Sequence, residues 1–565
     1  MSDTETATHA GSPSSPPKDI EKPPQYGEAT KETEPTRPAA PERAKTGESR
    51  LSRAWTKRNL PRTDGKVELK EKEAWDKLGY SFPTWKKWLI LTVIFTVQMS
   101  MNLNTSIYPN VVMEIPKDDR YRGVSEQGAR VGQMIFLVAY AFGSELWAPW
   151  SEELGRWPIL QLSLLLVNLT QVWAALAPNY NNLIVARFFG GLFTAGGSVT
   201  LGMVADMWEA DEQQFAVAFV VLSSVGGTSI GPFIGGFVEA YTIPKVTYWI
   251  FWVQLIFGGV TQIMHFFIVP ETRATVLLDR EAKRRRKAGE TNIYGPSELR
   301  EDRFSFKEIV ETWLRPFEMF LREPIVLSLS LLSGFSDALI FTFLESFNFV
   351  YKQWGFGTVA IGLAFLPINI GYIISYFSFF PSIISQNRIR RKDPDALLPE
   401  ARLWWLLWVA PLEAIGLFGF AWTSLGPPHV HWIAPMIFSC MIAIANYAIY
   451  MATIDYMVAA YGPYSASATG GNALARDFLA GIAALYATPL YQNLGPMSLE
   501  WASTLLGFLA ILVTIPIYIF YYKGPAIRAR SKFAQTLASD RKANGGHRVV
   551  GEGEKADANR MEAQN

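Results

Sequence analysis

About twelve apolar stretches run along this chain, and each is close to the ~20 residues that a helix needs to cross a bilayer. Charged residues concentrate outside them, chiefly in residues 1–87, in 270–324 and after Lys523. This alternation predicts an all-α polytopic membrane protein. The predicted spans cover residues 89–112, 128–150, 158–177, 182–205, 214–240, 247–269, 325–350, 358–383, 402–423, 431–457, 467–491 and 498–522.

Composition argues against several other classes of protein. The 52 basic and 51 acidic side chains leave a net charge of +1, whereas a nucleic-acid-binding protein carries a basic excess on one face. Cys440 is the only cysteine, so the chain can form no internal disulfide and no cysteine-based metal cluster. The five histidines show no metal-ligand spacing. We therefore expect no metal, no cofactor and no nucleic-acid partner. We also expect no enzymatic activity, because the sequence shows no cluster of a nucleophile and a base, or of metal ligands, near one face of the membrane.

The longest internal charged segment separates the sixth predicted span from the seventh and divides the spans into six plus six. Two six-helix halves around a central path are a layout of secondary transporters. Lysine and arginine concentrate in the tails and in the central segment, so the positive-inside rule predicts that both termini are cytosolic. The predicted parts are a disordered cytosolic tail (1–87), a first half (88–269), a cytosolic linker (270–324), a second half (325–522) and a cytosolic C-terminal tail (523–565).

Within the linker, apolar side chains recur at roughly helical spacing, at Phe304, Phe306, Ile309, Val310 and Trp313. This spacing is typical of an amphipathic helix that lies on a membrane surface. A plain connector is the alternative.

The segment GSELWAPWSEELGRWP, from Gly143 to Pro158, joins the second predicted span to the third. It resembles the corresponding loop of the major facilitator superfamily and, more narrowly, of the fungal twelve-span drug:proton antiporters, whose form is roughly G-P-x-x-x-A-P-x-S-E-x-x-G-R-R-P. Ser144 and Trp157 depart from that form, where the family usually has proline and a second arginine. The stretches that begin at Pro270 (PETRATVLLDREAKRRRK) and at Tyr491 (YQNLGPMSLEWAS) are also similar to this family.

A glycine-rich stretch in the fifth predicted span, GGTSIGPFIGG, looks like the antiporter motif of that family. Its matching residues are Gly226, Gly231, Pro232, Gly235 and Gly236. Small residues at one-turn intervals let a neighbouring helix approach closely, and a proline bends the helix. The motif therefore favours either close packing alone or, as the resemblance implies, a moving interface that limits proton leak.

The resemblance implies a proton-coupled exporter of a small organic molecule in two pseudo-symmetric halves, with the lipid bilayer, protons and the substrate as partners. We expect a single chain to be the transport unit, in the plasma membrane or the vacuolar membrane. Export of polyamines, uptake by proton symport, and a non-transporting membrane sensor are the alternatives.

The loop at Gly143–Pro158 contains a candidate conformational latch. Glu152 and Arg156 are four residues apart, so they share a face if the segment is helical. A solvated pair of this kind contributes at most ~1 kcal/mol. The resemblance implies that Arg156 helps to hold one transport state, with acidic residues of the next loop, Asp206 first among them, as partners.

Charged residues inside predicted spans are candidates for the substrate or proton pathway, because an unpaired ion is costly in lipid. Arg187 matches an R-x-x-x-G pattern of the family, whereas extension towards the interface is the alternative. Asp337, Glu345 and Glu413 lie within the seventh and ninth spans, where a buried hydrogen bond to a neighbouring span is the alternative. Of these carboxylates, Glu345 matches the family at F-x-E-x-F.

Two further pairs complete the predicted site. Gln98 and Asn102 form a polar stripe on the first span, which suits either a central cavity or hydrogen bonds between helices. Asp455 and Arg476, near the ends of the tenth and eleventh spans, are predicted to form a structural ion pair.

Overall fold

The structure is a computed structural model that describes residues 66–208, 213–243, 245–299, 306–392, 397–531 and 533–534. Fourteen long helices make up most of these residues. They are α1 Thr84–Val112, α2 Glu126–Leu154, α3 Arg156–Ala175, α4 Tyr180–Met207, α5 Gln214–Thr242, α6 Val246–Ile268, α7 Ala274–Lys287, α8 Phe306–Arg322, α9 Pro324–Lys352, α10 Thr358–Arg390, α11 Pro399–Thr423, α12 Ile433–Tyr461, α13 Ser465–Gln492 and α14 Ser498–Arg528. Short breaks interrupt α1 after Ser106, α4 at Ala195–Ser198 and α10 after Leu363.

Eleven of the described helices are long and apolar enough to cross a membrane, which confirms an all-α polytopic protein. The remaining predicted span, the eleventh (467–491), is α13, which is also long but less apolar because it carries Arg476 and Asp477. Its buried positions are mostly alanine, glycine and serine. A helix of this kind depends on close neighbours rather than on lipid contact.

Two sets of six helices, α1–α6 and α9–α14, form the first and second halves of the bundle. The halves meet where α2 packs against α13 and where α5 packs against α10. Small residues allow these contacts: a Cβ at Gly481 of α13 would already lie 3.2 Å from the Cβ of Leu137 on α2. We call the end of the bundle where α6 leads into α7 the linker side, and the opposite end the far side.

Residues 66–83 form a small folded unit on the linker side, so the predicted disordered tail is wrong for them. Strand β1, Val67–Glu68, pairs in parallel with β2, Ile293–Tyr294, and two short 3-10 helices follow at Glu71–Lys77 and Gly79–Ser81. Three side chains of this segment, Leu69, Ala74 and Leu78, are buried with residues of α7. Three apolar residues spaced among charges give a weak sequence signal, and their burial depends on a partner about 200 residues away. The rest of the predicted tail, residues 1–65, lies outside the described residues, as do 535–565.

The linker contains the helix that its apolar spacing predicts, α8. Phe304 lies outside the described residues. Helix α8 packs against α2, α9 and α13, and the ring of Phe317 stacks on Phe142 of α2 with 6.1 Å between centroids. Contact with both halves makes α8 more than a plain connector.

The first part of the linker, which pairs with residues 66–83 through β2, contains an ion pair that makes the stability of this region depend on pH. Arg286 donates hydrogen bonds to both carboxylate oxygens of Glu298, at 2.7 and 2.8 Å. These bonds lower the pKa of the Glu298 carboxyl below its usual value. Because the folded pKa is the lower one, the contribution is complete above the unfolded pKa of ~4.3 and is lost as pH falls through the folded pKa.

We therefore expect amide-exchange protection factors at Val67 and Leu69, whose N–H groups donate to the backbone oxygens of Asn292 and Tyr294, to hold steady from neutral to mildly acidic pH and to fall in more acidic solution. In the variant Glu298→Gln, protection should be lower at neutral pH and should change less with pH. Mass-spectrometric hydrogen exchange, corrected for intrinsic rates, measures both. An unchanged pH profile in the variant would contradict this assignment.

Candidate functional site

A small cavity lies between the two halves near the middle of the bundle. Its volume is about 10 Å³, roughly the space of one water molecule. Helices α1, α2 and α5 line it from the first half, and α9, α12 and α13 from the second. The lining residues are Asn102, Thr105, Leu137, Tyr140, Ser224, Val225, Thr228, Asp337, Phe341, Tyr450, Arg476 and Asp477.

Three charged side chains of the second half form a cluster at this cavity. Arg476 lies 3.2 Å from Asp477 and 3.9 Å from Asp337, and its guanidinium carbon is 4.3 Å from the ring centre of Tyr450. Asp477 Oδ2 is buried and has no hydrogen-bond partner among the described side chains. With both carboxylates ionised, the cluster has a net charge of −1. Burying such an excess is costly, so the cluster is suited to taking up a proton or a cationic group.

Of the predicted pathway residues, Asn102 and Asp337 line this cavity. Gln98 instead faces α4, where its amide donates to the backbone oxygen of Gly197 at 3.1 Å and to Thr200 Oγ1 at 2.7 Å. Each of the two predicted roles therefore applies to one residue of the stripe: Asn102 faces the central cavity, and Gln98 forms hydrogen bonds between helices.

Arg187 is buried inside the first half and does not reach the interface. It donates to the backbone oxygen of Gly132 and to Gln133 Oε1, both at 3.2 Å. Its guanidinium carbon also lies 4.0 Å from the ring centre of Phe136 and 4.5 Å from that of Tyr108. Ring faces and carbonyl oxygens stabilise a cation without a carboxylate. The alternative of extension towards the interface is therefore wrong.

Glu345 crosses from the second half to the first in a buried ion pair. Its Oε2 accepts from Arg130 Nε at 3.1 Å and from Thr488 Oγ1 at 3.3 Å. Sequence reasoning missed Arg130, although it lies within a predicted span and the criterion applied to Arg187 would have found it. The pair links α2 to α9 towards the far side.

Glu413 is fully buried inside the second half and is not among the residues that line the central cavity. Ser336 donates to its Oε1, and Asn446 donates to Ser336 Oγ at 3.1 Å. Ser336 precedes Asp337 on α9, so the neighbouring residues point to different networks. The structure thus shows the hydrogen bond to a neighbouring span that was the alternative for Glu413.

The predicted ion pair of Asp455 and Arg476 is wrong. Arg476 lies at the central cavity, whereas Asp455 is nearer the linker side and pairs with Arg402 of α11. Asp455 Oδ2 also accepts from Gln214 Nε2 of α5 at 2.7 Å, which links the halves on the linker side. Opposite charge and similar predicted depth suggested the pair, but the offset between α12 and α13 cannot be read from one sequence.

The contact predicted for the latch is present. Arg156 Nε donates to Asp206 Oδ2 at 2.9 Å and its Nη1 donates to Ser151 Oγ at 2.6 Å, whereas Glu152 is 3.9 Å away and partly exposed. Both Asp206 and Arg156 are buried. The other acidic residues of that loop, Glu209, Asp211 and Glu212, lie outside the described residues.

Glu271, in the stretch that begins at Pro270, completes the latch and was not predicted. It accepts hydrogen bonds from the backbone N–H groups of Arg156 and Trp157 at 3.0 and 3.2 Å. Gly155 has a φ of +111°, and a Cβ there would overlap the Glu271 carboxylate. Trp157, which replaces the second arginine of the family form, packs its ring on Phe266 of α6. Two stretches that resemble the same family therefore meet in one contact.

The glycine motif of α5 serves two interfaces. Cβ atoms at Gly231 and Gly235 would overlap Ser106 and Asn110 of α1, so these glycines pack the first half internally. A Cβ at Gly236 would lie 2.9 Å from the backbone oxygen of Thr358, and one at Gly362 would lie 2.9 Å from that of Pro232. Gly236 and Gly362 thus form a close crossing between the halves. Gly226 is less crowded, with Asn369 Oδ1 at 3.9 Å from the added Cβ.

Comparison with known proteins identifies the family. The chain matches the sequence model of the Major Facilitator Superfamily over residues 90–485. The chain belongs to the Major Facilitator Superfamily. Transporters of this superfamily from fungi are among its relatives, so this member is a membrane transporter and not an enzyme.

Two relatives and one solved structure are similar to this chain over most of its length. MFS-type transporter kojT of Aspergillus oryzae is 30% identical over 456 residues, which cover 79% of this chain and 79% of that protein. The citrinin biosynthesis cluster MFS transporter mrr1 of Monascus ruber is 30% identical over 468 residues, covering 81% and 90%. The xylose transporter XylE from E. coli, in a partially occluded inward open conformation, has a TM-score of 0.53 at 15% identity, covering 77% of this chain and 99% of that one. This last likeness confirms the fold.

Removing Asp206 tests the latch of this transporter. Asp206→Asn leaves Arg156 buried without its nearest carboxylate, a loss of the order of ~3–5 kcal/mol. We expect a clearly lower melting temperature for the purified protein in detergent. The matched control is Glu152→Gln, because Glu152 is 3.9 Å from Arg156 and partly exposed, and water weakens such a pair to at most ~1 kcal/mol. Equal shifts in the two variants would contradict a special role for Asp206.

The link between Arg130 and Glu345 generates a separate prediction. Glu345→Gln removes the charge that balances Arg130, so the first turns of α2 should exchange amide hydrogens faster, on the order of tenfold or more. Thr488→Val serves as control because it removes a hydrogen bond to the same oxygen without changing charge. If exchange at residues 126–134 rose equally in both, the ion pair would not be what holds this end closed.

Proposed function

We propose that this transporter is a proton-coupled exporter of a small organic molecule that works by alternating access. The observation that carries the proposal is the cluster of Asp337, Arg476 and Asp477 at the cavity between the halves. A carboxylate there can alternate between a proton and a polar group of the substrate. The cluster has one excess negative charge, so it favours binding one positive charge at a time. A proton and a cationic group of the substrate therefore compete for the same site.

Asp337 is the residue to which we assign the exchange. Its contact with Arg476 is long, at 3.9 Å, and its side chain is 15% exposed at the cavity, whereas Asp477 lies 3.2 Å from the arginine. The tighter pair of Asp477 and Arg476 is suited to a constant structural charge. The looser Asp337 is then free to bind and release a proton.

Contacts at both ends of the bundle support alternating access. On the linker side Gln214 bonds to Asp455 across the halves at 2.7 Å, and towards the far side Arg130 bonds to Glu345 at 3.1 Å. With both sets formed, the central cavity is small, as expected of a closed intermediate. Opening one side needs one set to break while the other stays as a pivot.

The lining and the relatives support an amphipathic substrate. Tyr140, Phe341 and Tyr450 provide aromatic surface beside the charged cluster. The fungal relatives include the MFS-type transporter kojT and the citrinin biosynthesis cluster MFS transporter mrr1. We propose a fungal secondary metabolite or a related toxin as substrate, export across the plasma membrane, and a cytosolic linker side, with a single chain as the working unit.

An untargeted comparison of metabolites in the medium of cells with and without this chain identifies the substrate. We expect at least one organic compound to depend on the chain for export, and its export to collapse when a protonophore removes the proton gradient. Compounds that accumulate inside cells only when the chain is present would contradict export. Export that survives the protonophore would contradict proton coupling.

Once a compound is found, two isosteric variants separate the central carboxylates. Asp337→Asn should abolish proton-driven export, because an amide cannot bind and release the coupling proton. Glu413→Gln should keep export within about twofold, since glutamine can still accept the hydrogen bond from Ser336. Export per molecule at the membrane is the measurement. Full activity in Asp337→Asn would remove that residue from the coupling mechanism, and loss in Glu413→Gln would transfer the role to Glu413.

A further inference from the structure

A second cavity lies between the halves on the far side of the central one. Its polar lining consists of the side chains of Glu239, Asn110 and Asn348 together with Thr358. Its apolar lining consists of Pro109, Pro232, Leu344, Ile361, Gly362 and Phe365. The first half contributes α1 and α5, and the second half contributes α9 and α10. None of these polar residues belongs to the predicted pathway.

The two cavities are stacked along the same three helices. On α5, Thr228 lines the central cavity and Pro232 lines the second one, four residues or about 6 Å further along the axis. Helix α1 passes from Asn102 to Asn110 in the same way, and α9 passes from Asp337 to Asn348. The second cavity therefore lies next to the central one in the direction of the far side.

The polar groups of this second cavity have unused hydrogen-bonding capacity. Asn110 Nδ2 donates to Glu239 Oε2 at 3.3 Å, but Asn110 Oδ1 is buried and has no partner among the described residues. Within the same residues the structure shows no hydrogen bond for the Asn348 amide. A carboxylate and unpaired amide oxygens are acceptors, and together they favour a donor with positive charge.

We infer that this cavity, whose volume is about 20 Å³ with both ends of the bundle closed, widens when the far side opens and is then a second binding site, which receives the ammonium group of an amphipathic organic amine. Glu239 and the amide oxygens of Asn110 and Asn348 accept its N–H groups, and the hydrocarbon part packs on Leu344, Ile361 and Phe365. These apolar walls distinguish an organic amine from a bare metal ion, which needs oxygen ligands on most sides. As a stage on the exit path the site rests on the proposed function, but binding there can be measured without transport.

Lysine side chains near the second cavity could compete with a ligand amine for Glu239. Lys352, Lys117 and Glu114 are within electrostatic reach of Glu239. Lys117 is paired with Glu114 at 2.7 Å, which leaves Lys352 as the competitor of the ligand amine among these three. Lys352 is exposed and at the end of α9, so water screens its attraction to Glu239.

Protection of an engineered thiol tests the site in the full-length protein in nanodiscs. Cys440→Ser removes the single native cysteine, and Thr358→Cys places a reporter in the cavity wall. The probe is phenethylammonium at neutral pH, compared with 2-phenylethanol, 3-phenylpropionate and sodium ions. Mass spectrometry follows the rate at which N-ethylmaleimide labels the reporter.

We expect phenethylammonium to slow labelling in a saturable manner and the alcohol, the acid and sodium to have little effect. Glu239→Gln should raise the half-protecting concentration about tenfold, because it removes the negative charge and leaves the ammonium group a weaker hydrogen bond to a neutral amide. Asp119→Asn is the control, because this exposed carboxylate pairs with Arg122 at the surface, and it should leave protection unchanged. Asn348→Leu is a second variant that should also weaken protection, which keeps the test valid if Glu239→Gln fails to fold.

Equal protection by the alcohol would overturn the assignment of an ammonium group, and protection by sodium would overturn that of an organic ligand. Protection that persists in both Glu239→Gln and Asn348→Leu would place the ligand elsewhere. Because the assay needs no proton gradient and no substrate export, failure here leaves the central mechanism intact. Conversely, loss of proton coupling in the export assay would not alter the protection result.

Discussion

The absence of water inside a bilayer requires every charged side chain of this bundle to find its partner within the protein. Arg476 meets that requirement with Asp337, Asp477 and the ring of Tyr450, and Arg130 meets it with Glu345. These two sets of partners leave different net charges. Arg130 and Glu345 balance one another, so they close a contact between the halves, whereas Arg476 faces two carboxylates and leaves an excess charge at the centre. Closure and exchange therefore depend on the same cost of burying charge.

Glycine determines where the halves can meet. At Gly236 and Gly362 the helices α5 and α10 approach so closely that an added Cβ on either would lie 2.9 Å from a backbone oxygen of the other. The neighbouring Gly231 and Gly235 bring α5 equally close to α1 within the first half. A single run of small residues thus brings α5 close both to α1 in its own half and to α10 in the other half. Backbone contact without interlocking side chains is a surface along which two rigid bodies can rotate.

The sequence predicts the fold in nearly all its parts because lipid imposes one rule on every span. Apolar length and the distribution of charge are local properties, and they predict the α-helical class, the six-plus-six division and helix α8. The folded unit at residues 66–83 is missed because Leu69, Ala74 and Leu78 become a core only against α7. The family resemblance predicted the contact of Arg156 with Asp206, and the structure contains it. Glu271 was missed because it reaches Arg156 only when two stretches far apart in the sequence come together. Local patterns give the helices, and long-range contacts give the partners.

Partner choice is where reasoning from one sequence fails at the candidate site. Asp455 and Arg476 have opposite charge and similar predicted depth, yet an offset of neighbouring helices gives them Arg402 and Asp477 instead. Glu413 and Asp337 are both carboxylates in the middle of predicted spans, yet one is hydrogen-bonded inside the second half and the other faces the cavity. What separates them is placement: α9, which carries Asp337, lines the central cavity, whereas α11, which carries Glu413, does not. Within α9 the adjacent Ser336 and Asp337 face different networks because side chains turn by about 100° per residue. An intramembrane carboxylate is therefore a reason to look for a site, and the direction it faces determines whether the two halves, and the path between them, can use it.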